Sequence, residues 1–451
     1  MRRVLVANRG EIALRIIRTL KEMGIKSVAI YSEVDKDSLH VKFADESVCV
    51  GKDDVSSTYL NIPNIISAAI ITGCDAIHPG YGFLSENYKF AQICNSHGIK
   101  FIGPSPESIR DMGDKVKAKQ IAQQLGVPIV PSTGVIRDLK EAINFVRENG
   151  LPVIIKAAGG GGGRGMRVVE KESELEPKLT QASIEAKNFF SNPDVYIEKL
   201  IINPKHIEVQ IIGDNFGVYH LFERDCTAQR RHQKIIEEAT SLLPESVRTA
   251  IIQDALKIAN YIAYVSAGTI EFLYEPHTQK HYFIEMNTRI QVEHPVTEMV
   301  TNTDVVKLQI LASMNENISK YIPSSYEGYA IEFRIYAEDP YRFSPSIGTI
   351  TRAYFPSFRD VRVDTAVYNG YQVTQFYDNM IAKLIVKGNN REEAIERSKI
   401  YLNQVIIEGV TTNIPLLKDI LQDPDYVRYV YHTRSVDELV SRKKEMALVA
   451  E

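Results

Sequence analysis

Over the first ~110 residues, short β-branched runs alternate with amphipathic helical stretches, and this alternation confines that part of the chain to an α/β fold with a parallel sheet. Residues 4–7 read as a strand. Residues 11–23 follow with Ile12, Ile16, Leu20 and Met23 at helical spacing, and Gly24 suits the helix stop. Residues 27–31 form the next strand, so the connection is a right-handed crossover. A dinucleotide-binding turn needs three glycines at this point, and Asn8-Arg9-Gly10-Glu11-Ile12-Ala13 supplies one. The expectation is a Rossmann-like scaffold without a nicotinamide cofactor, which disfavours a dehydrogenase.

Further along, a helix is expected over 106–125, stopped by Gly126-Val127-Pro128. Residues 153–156 read as a strand that runs into Gly159-Gly160-Gly161-Gly162-Gly163-Arg164-Gly165, and 166–169 as a second strand. Strand, glycine loop and strand make a mobile flap. Ordering five consecutive glycines costs conformational entropy, which a bound group must offset. Bare backbone N–H groups approach an anion closely, and Lys156 and Arg164 add positive charge, so the flap reads as a cover for phosphates. There is no GxxxxGK[ST] string, so this is not a P-loop. From Tyr329 the pattern turns mixed, with a strand over 330–338 and a helix near 391–404. No repeat and no low-complexity linker is present, so the domains are expected to be closely joined.

Composition narrows the function classes. The 451 residues carry a formal net charge of −4, which argues against a nucleic-acid binder. The start, MRRVLVANRG, lacks the apolar core of a signal peptide, and no segment approaches the ~20 apolar residues of a membrane span. Cys49, Cys74, Cys94 and Cys226 form no CxxC pair, which fits a reduced cytoplasmic protein. The first three read as buried small hydrophobes, and Cys226 is left open because it adjoins a polar cluster.

The densest chemistry lies between Thr269 and Pro295. Two strand-like runs, 269–274 and 281–287, flank a turn-like EPHTQK and predict an antiparallel hairpin. Alternation places Glu285 and Asn287 on one face, and pairing can bring Glu271 onto it. Facing carboxylates repel and need a cation. Two carboxylates and an amide oxygen suit Mg²⁺ or Mn²⁺, with nucleotide phosphates and water completing the shell. Beyond the hairpin, Arg289, Gln291 and Glu293 project to one side if the segment is extended. Arginine grips a carbonate-like anion with two parallel hydrogen bonds, and a glutamate beside it serves as general base. Metal-bound ATP next to an anion clamp and a base implies phosphorylation of a small oxyacid. A further cluster, ERDC followed by QRRHQK at 229–234, concentrates cations without interleaved aromatics, which fits an anion pocket better than a nucleic-acid patch.

Taken in order, ANRGEIALRI, AIHPGYGFLSEN, FIGPSPESIRDMGDK, VIIKAAGGGGGRGMRVV, ERDCTAQRRHQK, FIEMNTRIQVEHPVTE and RIYAEDP resemble the biotin carboxylase family of the ATP-grasp superfamily, over nearly the whole chain. The resemblance implies a Rossmann-like N-terminal domain over 1–112. It implies an ATP-grasp domain over 113–318 with a mobile glycine-rich lid at about 130–203, and a mixed α+β C-terminal domain over 319–446. It assigns Lys115, Lys156, Gly162, Gly163, Glu198, Lys199, Leu200, Ile201, His206, Gln229 and His232 to the ATP pocket, beside Glu271 and Glu285. Glu271, Glu285 and Asn287 are the implied metal ligands. Lys234, Arg289, Gln291 and the backbone of Val292 are the implied bicarbonate site, with Glu293 as the base. Arg289 and Arg334 are the implied pair that stabilises the biotin enolate, and Tyr81 a wall of the biotin pocket. The implied reaction runs through carboxyphosphate. The implied partners are a biotinylated carrier protein, a carboxyltransferase subunit and a second copy of the chain, with Arg15 at the dimer contact.

The sequence departs from the family pattern at Thr240-Ser241-Leu242-Leu243-Pro244 and at Ile347, where a proline is usual, and both departures lie outside the implied pocket. No AMKM-like biotin attachment site is present, so biotin is expected on a separate protein. The rival readings are another ATP-grasp ligase, of the carbamoyl-phosphate or carboxylating purine-pathway type, and a non-catalytic nucleotide-binding subunit. EHPVTE and RIYAEDP favour biotin over the first, and the full set of implied catalytic residues disfavours the second.

Overall fold

The computed structural model describes residues 1–157, 166–190 and 192–450, with the side chains of 189, 190 and 447–450 left aside. The flap residues Gly162, Gly163 and Arg164 lie outside the described residues.

The N-terminal alternation folds as a five-stranded parallel sheet in the order Glu46–Gly51, Lys26–Ser32, Arg3–Val6, Ala76–His78, Lys100–Phe101. Helix Gly10–Glu22 buries Ile12, Ile16 and Leu20 on one face, and each such side chain contributes about 2 kcal/mol. The helix stops where Gly24 enters the left-handed region at φ +69° and the Ile25 N–H donates to the Leu20 carbonyl at 2.9 Å. Cys74 and Cys94 are buried as expected, but Cys49 is exposed, because Glu46–Gly51 is the edge strand.

The single helix expected over 106–125 is two helices, Pro106–Gly113 and Lys115–Gln124. Between them Asp114 adopts extended backbone, and its carboxylate accepts the N–H groups of Val116 and Lys117 at 2.9 and 3.1 Å. A short polar side chain that caps a new helix start outcompetes continuation of the old one. The break leaves Lys115 as the first residue of the second helix.

Residues 153–157 and their neighbours build a small separate layer. Strand Val153–Ala157 lies between Arg167–Val169 and Val195–Lys199, antiparallel to both. Its core joins Val153, Ile155 and Ile197 to Phe145, Leu175 and Ala182 of the helices that cover it.

The frame of the molecule is an eight-stranded antiparallel sheet in the order Lys280–Asn287, Ser266–Glu275, Lys205–Gly213, Val218–Arg230, Gln233–Ala239, Tyr329–Tyr336, Met380–Gly388, Val361–Thr365. This sheet runs straight across the boundary expected near residue 318, because Gln233–Ala239 pairs with Tyr329–Tyr336. The core follows it: Ile235 and Ile236 pack in one cluster with Phe333, Leu384 and Leu417. At the other junction Val4, Val6 and Ile12 share a cluster with Ile212, Ile290 and Leu308. Among the described residues no helix is long and apolar enough to cross a membrane.

Candidate active site

The hairpin expected from the sequence forms, and its register sets Glu271 directly opposite Glu285 and Thr269 opposite Asn287, with a bulge after Glu271. Around Glu271 the donors converge. Its Oε1 accepts hydrogen bonds from Asn287 Nδ2 at 2.8 Å, Lys234 Nζ at 2.9 Å and Gln291 Nε2 at 3.0 Å. Its Oε2 lies 2.9 Å from His206 Nε2. Burial alone would push this carboxyl up, but Lys234 and His206 overcome it and hold the group well below the usual carboxylate range. Glu285 is more open and carries Lys115 Nζ at 3.1 Å. Two carboxylates, one of them fixed in the ionised form, and the Asn287 amide make a hard-oxygen donor set that fits a small divalent cation.

Lys234 ties this hairpin to the next group. Its side chain is half-buried, and its ammonium bridges Glu208 at 2.6 Å, Glu271 at 2.9 Å and Glu293 at 2.9 Å. Glu293 is wholly buried and also receives Arg334 Nη2 at 3.1 Å. Burial raises the Glu293 carboxyl, but Lys234, Arg334 and Arg224 outweigh it and keep the group ionised far below its ordinary range. The extended run expected for Arg289, Gln291 and Glu293 ends early, because Val292 and Glu293 turn into helix His294–Thr301, which starts with Pro295 in its first turn. The turn brings Glu293 onto Lys234, so the three side chains still face one region, reached by a different backbone path. Arg289 donates through Nε to Glu86 at 2.9 Å and through Nη2 to Asn287 Oδ1 at 3.1 Å. Arg334 donates to Glu237 on its other side.

The residues assigned to ATP fall into two groups. Lys156 and Glu198 sit on adjacent strands and form an ion pair, joined by Lys119 Nζ at 3.0 Å from Glu198 Oε2. Burial raises Glu198, and the two lysines reverse the effect and lower it. His206 meets Gln229 through Nδ1 at 3.1 Å, which connects this side to Glu271. Lys199 turns its ammonium away, onto the carbonyls of Gly150 and Leu151, both at 3.2 Å. The Leu200 N–H donates to the Pro152 carbonyl at 3.2 Å, and Ile201 is buried beside it. His232 is exposed at the tip of a two-residue turn, where Arg231 and His232 have φ of 46° and 66°. The structure does not bring its ring to the cluster.

Tyr81 is tethered by a hydrogen bond from its hydroxyl to Glu11. Arg15 faces inward, with Nη2 2.9 Å from both Glu298 and Asp304. Cys226 is buried with Sγ 3.9 Å from Glu293 Oε1, and burial, then Glu208, push its thiol well up, so it stays protonated and is no nucleophile. Sequence reasoning missed Glu86, Lys119, Glu208 and Glu237. Glu208 is the most consequential: fully buried, it accepts Arg224 Nε and Lys234 Nζ, each at 2.6 Å. Its only local signal was a glutamate between the apolar Ile207 and Val209 in the strand HIEVQII.

Comparison with known proteins agrees along the whole chain. Three family models match in sequence: "Biotin carboxylase, N-terminal domain" over residues 1–109, "Carbamoyl-phosphate synthase L chain, ATP binding domain" over 114–321, and "Biotin carboxylase C-terminal domain" over 332–438. Biotin carboxylase 1 of Bacillus subtilis is 48% identical over 442 residues, covering 97% of this chain and 98% of that protein. A biotin carboxylase from Campylobacter jejuni, solved as a β,γ-ATP complex, superposes with a TM-score of 0.89 at 48% identity, over 97% of this chain and 98% of that one. The biotin carboxylase domain dimer of Hydrogenobacter thermophilus 2-oxoglutarate carboxylase, solved with MgADP, ADP and bicarbonate, gives a TM-score of 0.88 at 47% identity, over 97% of each chain. With half of its residues shared from end to end and the same fold throughout, the chain belongs to the biotin carboxylase family.

Proposed function

We propose that this chain uses MgATP and bicarbonate to carboxylate biotin presented on a separate carrier protein. The observation that carries the reading is the Lys234 bridge, which joins the metal-type carboxylate Glu271 to the buried carboxylate Glu293 through one ammonium. It supports a nucleotide site beside an oxyanion site, the arrangement that phosphoryl transfer to bicarbonate requires.

The roles follow from charge and reach. Mg²⁺ or Mn²⁺ held by Glu271, Glu285 and Asn287 supplies charge neutralisation at the nucleotide phosphates when bound. Lys115, Lys156, Glu198, His206, Gln229 and His232, the glycines Gly162 and Gly163, and the segment of Lys199, Leu200 and Ile201 serve the nucleotide. Lys234, Arg289, Gln291 and the Val292 backbone hold bicarbonate. Glu293 takes its proton as the oxygen attacks the γ-phosphate and ADP departs. An anion that draws Lys234 and Arg334 towards itself relaxes their hold on Glu293 and so raises its basicity, which is what a general base at neutral pH needs. The carboxyphosphate divides into CO₂ and phosphate, the phosphate takes the ureido proton of biotin, and the enolate attacks CO₂. Arg289 and Arg334 stabilise that enolate, and Tyr81 walls the pocket.

The domains lie at 1–112, 113–318 and 319–446, and the lid spans about 130–203. A carboxyltransferase subunit takes the carboxyl group onward, and two copies of the cytoplasmic chain pair. The test is ATP hydrolysis by the purified chain with Mg²⁺ and bicarbonate, with and without free biotin. Stimulation by biotin with carboxybiotin trapped as product supports the reading. Hydrolysis indifferent to biotin points to another ATP-grasp ligase, and no hydrolysis to a non-catalytic subunit.

A further inference from the structure

Lys383 is a lysine with no exposed surface, and it belongs to none of the roles above. It lies on strand Met380–Gly388, between Arg334 on one neighbouring strand and Asp364 on the other. Lysine is seldom fully buried, because desolvating an ammonium is costly unless partners surround it. The partners here come from distant parts of the chain. Its Nζ donates to the Val292 carbonyl at 3.0 Å and lies 3.2 Å from Glu11 Oε2 and 3.8 Å from Asp364 Oδ2. Glu11, in the first turn of helix Gly10–Glu22, accepts the Tyr81 hydroxyl through its other oxygen.

Two consequences follow from this geometry. A peptide unit is planar, so a hydrogen bond that fixes the Val292 carbonyl also fixes the plane leading into Glu293. And a carboxylate that accepts the Tyr81 hydroxyl on one oxygen and holds the Lys383 ammonium by charge alone, 3.2 Å from the other, couples the positions of the two. One link therefore runs from Tyr81 through the buried Glu11 and Lys383 to the peptide that carries Glu293.

We propose that Lys383 and Glu11 are a positioning pair that makes the placement of Glu293 depend on the placement of Tyr81, so that the biotin pocket and the bicarbonate pocket are mechanically coupled. The inference rests on the biotin carboxylase reading above. Neither residue touches a reacting atom. Their effect is to hold the Val292–Glu293 peptide and the Tyr81 ring in one register.

The test is a double-mutant cycle of Glu11→Gln, Lys383→Met and the double variant, made in the full chain. The readouts are carboxybiotin formation from free biotin, the KM values for ATP and biotin, and the thermal midpoint. A small misplacement of a reacting group costs one to two orders of magnitude in rate, so each single variant should lose about tenfold or more in carboxybiotin formation. The KM for ATP should stay within about twofold, because the nucleotide pocket lies outside the link, and the double variant should lose no more than the worse single one. Additive losses, a parallel rise in the KM for ATP, or full activity in both single variants would overturn the proposal. If Lys383→Met does not fold, Glu11→Gln alone decides: a raised KM for biotin together with a slowed carboxylation, at an unchanged thermal midpoint, supports the link, and either change alone refutes it. Wild-type protein that makes no carboxybiotin signals failure of the underlying reading instead.

Discussion

Replacing Lys234 with methionine removes one ammonium from three carboxylates at once. Glu208, Glu271 and Glu293 lie 2.6, 2.9 and 2.9 Å from it, and all three are buried. Deleting one partner of a buried ion pair costs about 3–5 kcal/mol. Arg224 remains on Glu208, His206 on Glu271 and Arg334 on Glu293, so the low end applies, about 3 kcal/mol at pH 7. The sheet that carries these groups runs from the central into the C-terminal part of the chain. With an unfolding entropy of about 2.1 cal/mol/K per residue, 1 kcal/mol in a 451-residue chain is about 1 °C, so the midpoint falls by about 3 °C. The pH dependence has a definite sign. Glu271 and Glu293 titrate lower in the folded chain than in the unfolded one. Their contribution is therefore present above the unfolded carboxylate range and is lost as pH falls through the folded values. Without Lys234 the folded values rise, the orphaned carboxylates take up protons in mild acid, and the variant recovers part of its deficit there. Thermal melts of wild type and Lys234→Met from pH 5 to 8 should show a gap that is widest at pH 8 and narrows towards pH 5. Bicarbonate-dependent ATP hydrolysis should fall by about a hundredfold or more. An unchanged midpoint, or a deficit equal at every pH, would refute the electrostatic account.

Glu285→Gln should weaken metal-dependent ATP use by about tenfold or more at limiting Mg²⁺ with the thermal midpoint intact, and a wild-type Mg²⁺ titration would remove Glu285 from the ligand set. Arg334→Ala should depress biotin carboxylation more than bicarbonate-dependent ATP hydrolysis, and equal loss of both would argue against its biotin role. Burial pushes the Glu237 carboxyl up to about 7, against the pull of Arg334. A raised folded value means stability that is full below the unfolded carboxylate range and declines as pH rises to about 7, so Glu237→Gln should flatten the wild-type fall in midpoint between pH 5 and 7, and an unchanged slope would count against it.

What was legible in the sequence was what is local. The hairpin announces itself by strand period and turn composition, so the opposition of Glu271 and Glu285 follows from residues within one supersecondary unit. The helix break at Asp114 and the turn at Val292 and Glu293 were overlooked because a capping side chain and an N-terminal proline compete locally with patterns that otherwise run on. Glu208 was hidden for a different reason. Its meaning depends on register with Arg224 on one neighbouring strand and Glu271 on the other, and that register is set by pairings across the sheet. Lys383 and Glu237 share this character: their strands, MIAKLIVKG and QKIIEEA, do not say what these side chains meet until strands far apart in sequence are laid side by side.

The same strands raise a question of design. Stability alone does not explain why Glu208, Arg224, Lys234, Glu237, Glu293, Glu332, Arg334 and Lys383 crowd the inner strands and the adjoining turn. Well-packed apolar residues in place of buried ion pairs are commonly neutral or stabilising. Glu332 sharpens the point: both its oxygens are buried without a hydrogen-bond partner, it faces Glu237 across the strands, and burial pushes it well up. A sheet selected only to fold would not keep it. Fixed charges in a low-dielectric interior do, however, hold their orientation without help from water, so charge developing on a bound oxyanion meets donors already in place. Because the strand Gln233–Ala239 carries Lys234 and Glu237 and pairs directly with the strand bearing Arg334, this field spans the expected boundary between the central and C-terminal parts. The continuity of the sheet therefore fixes a contact that the proposed chemistry uses, since a hinge at that boundary would let Arg334 drift from Glu293.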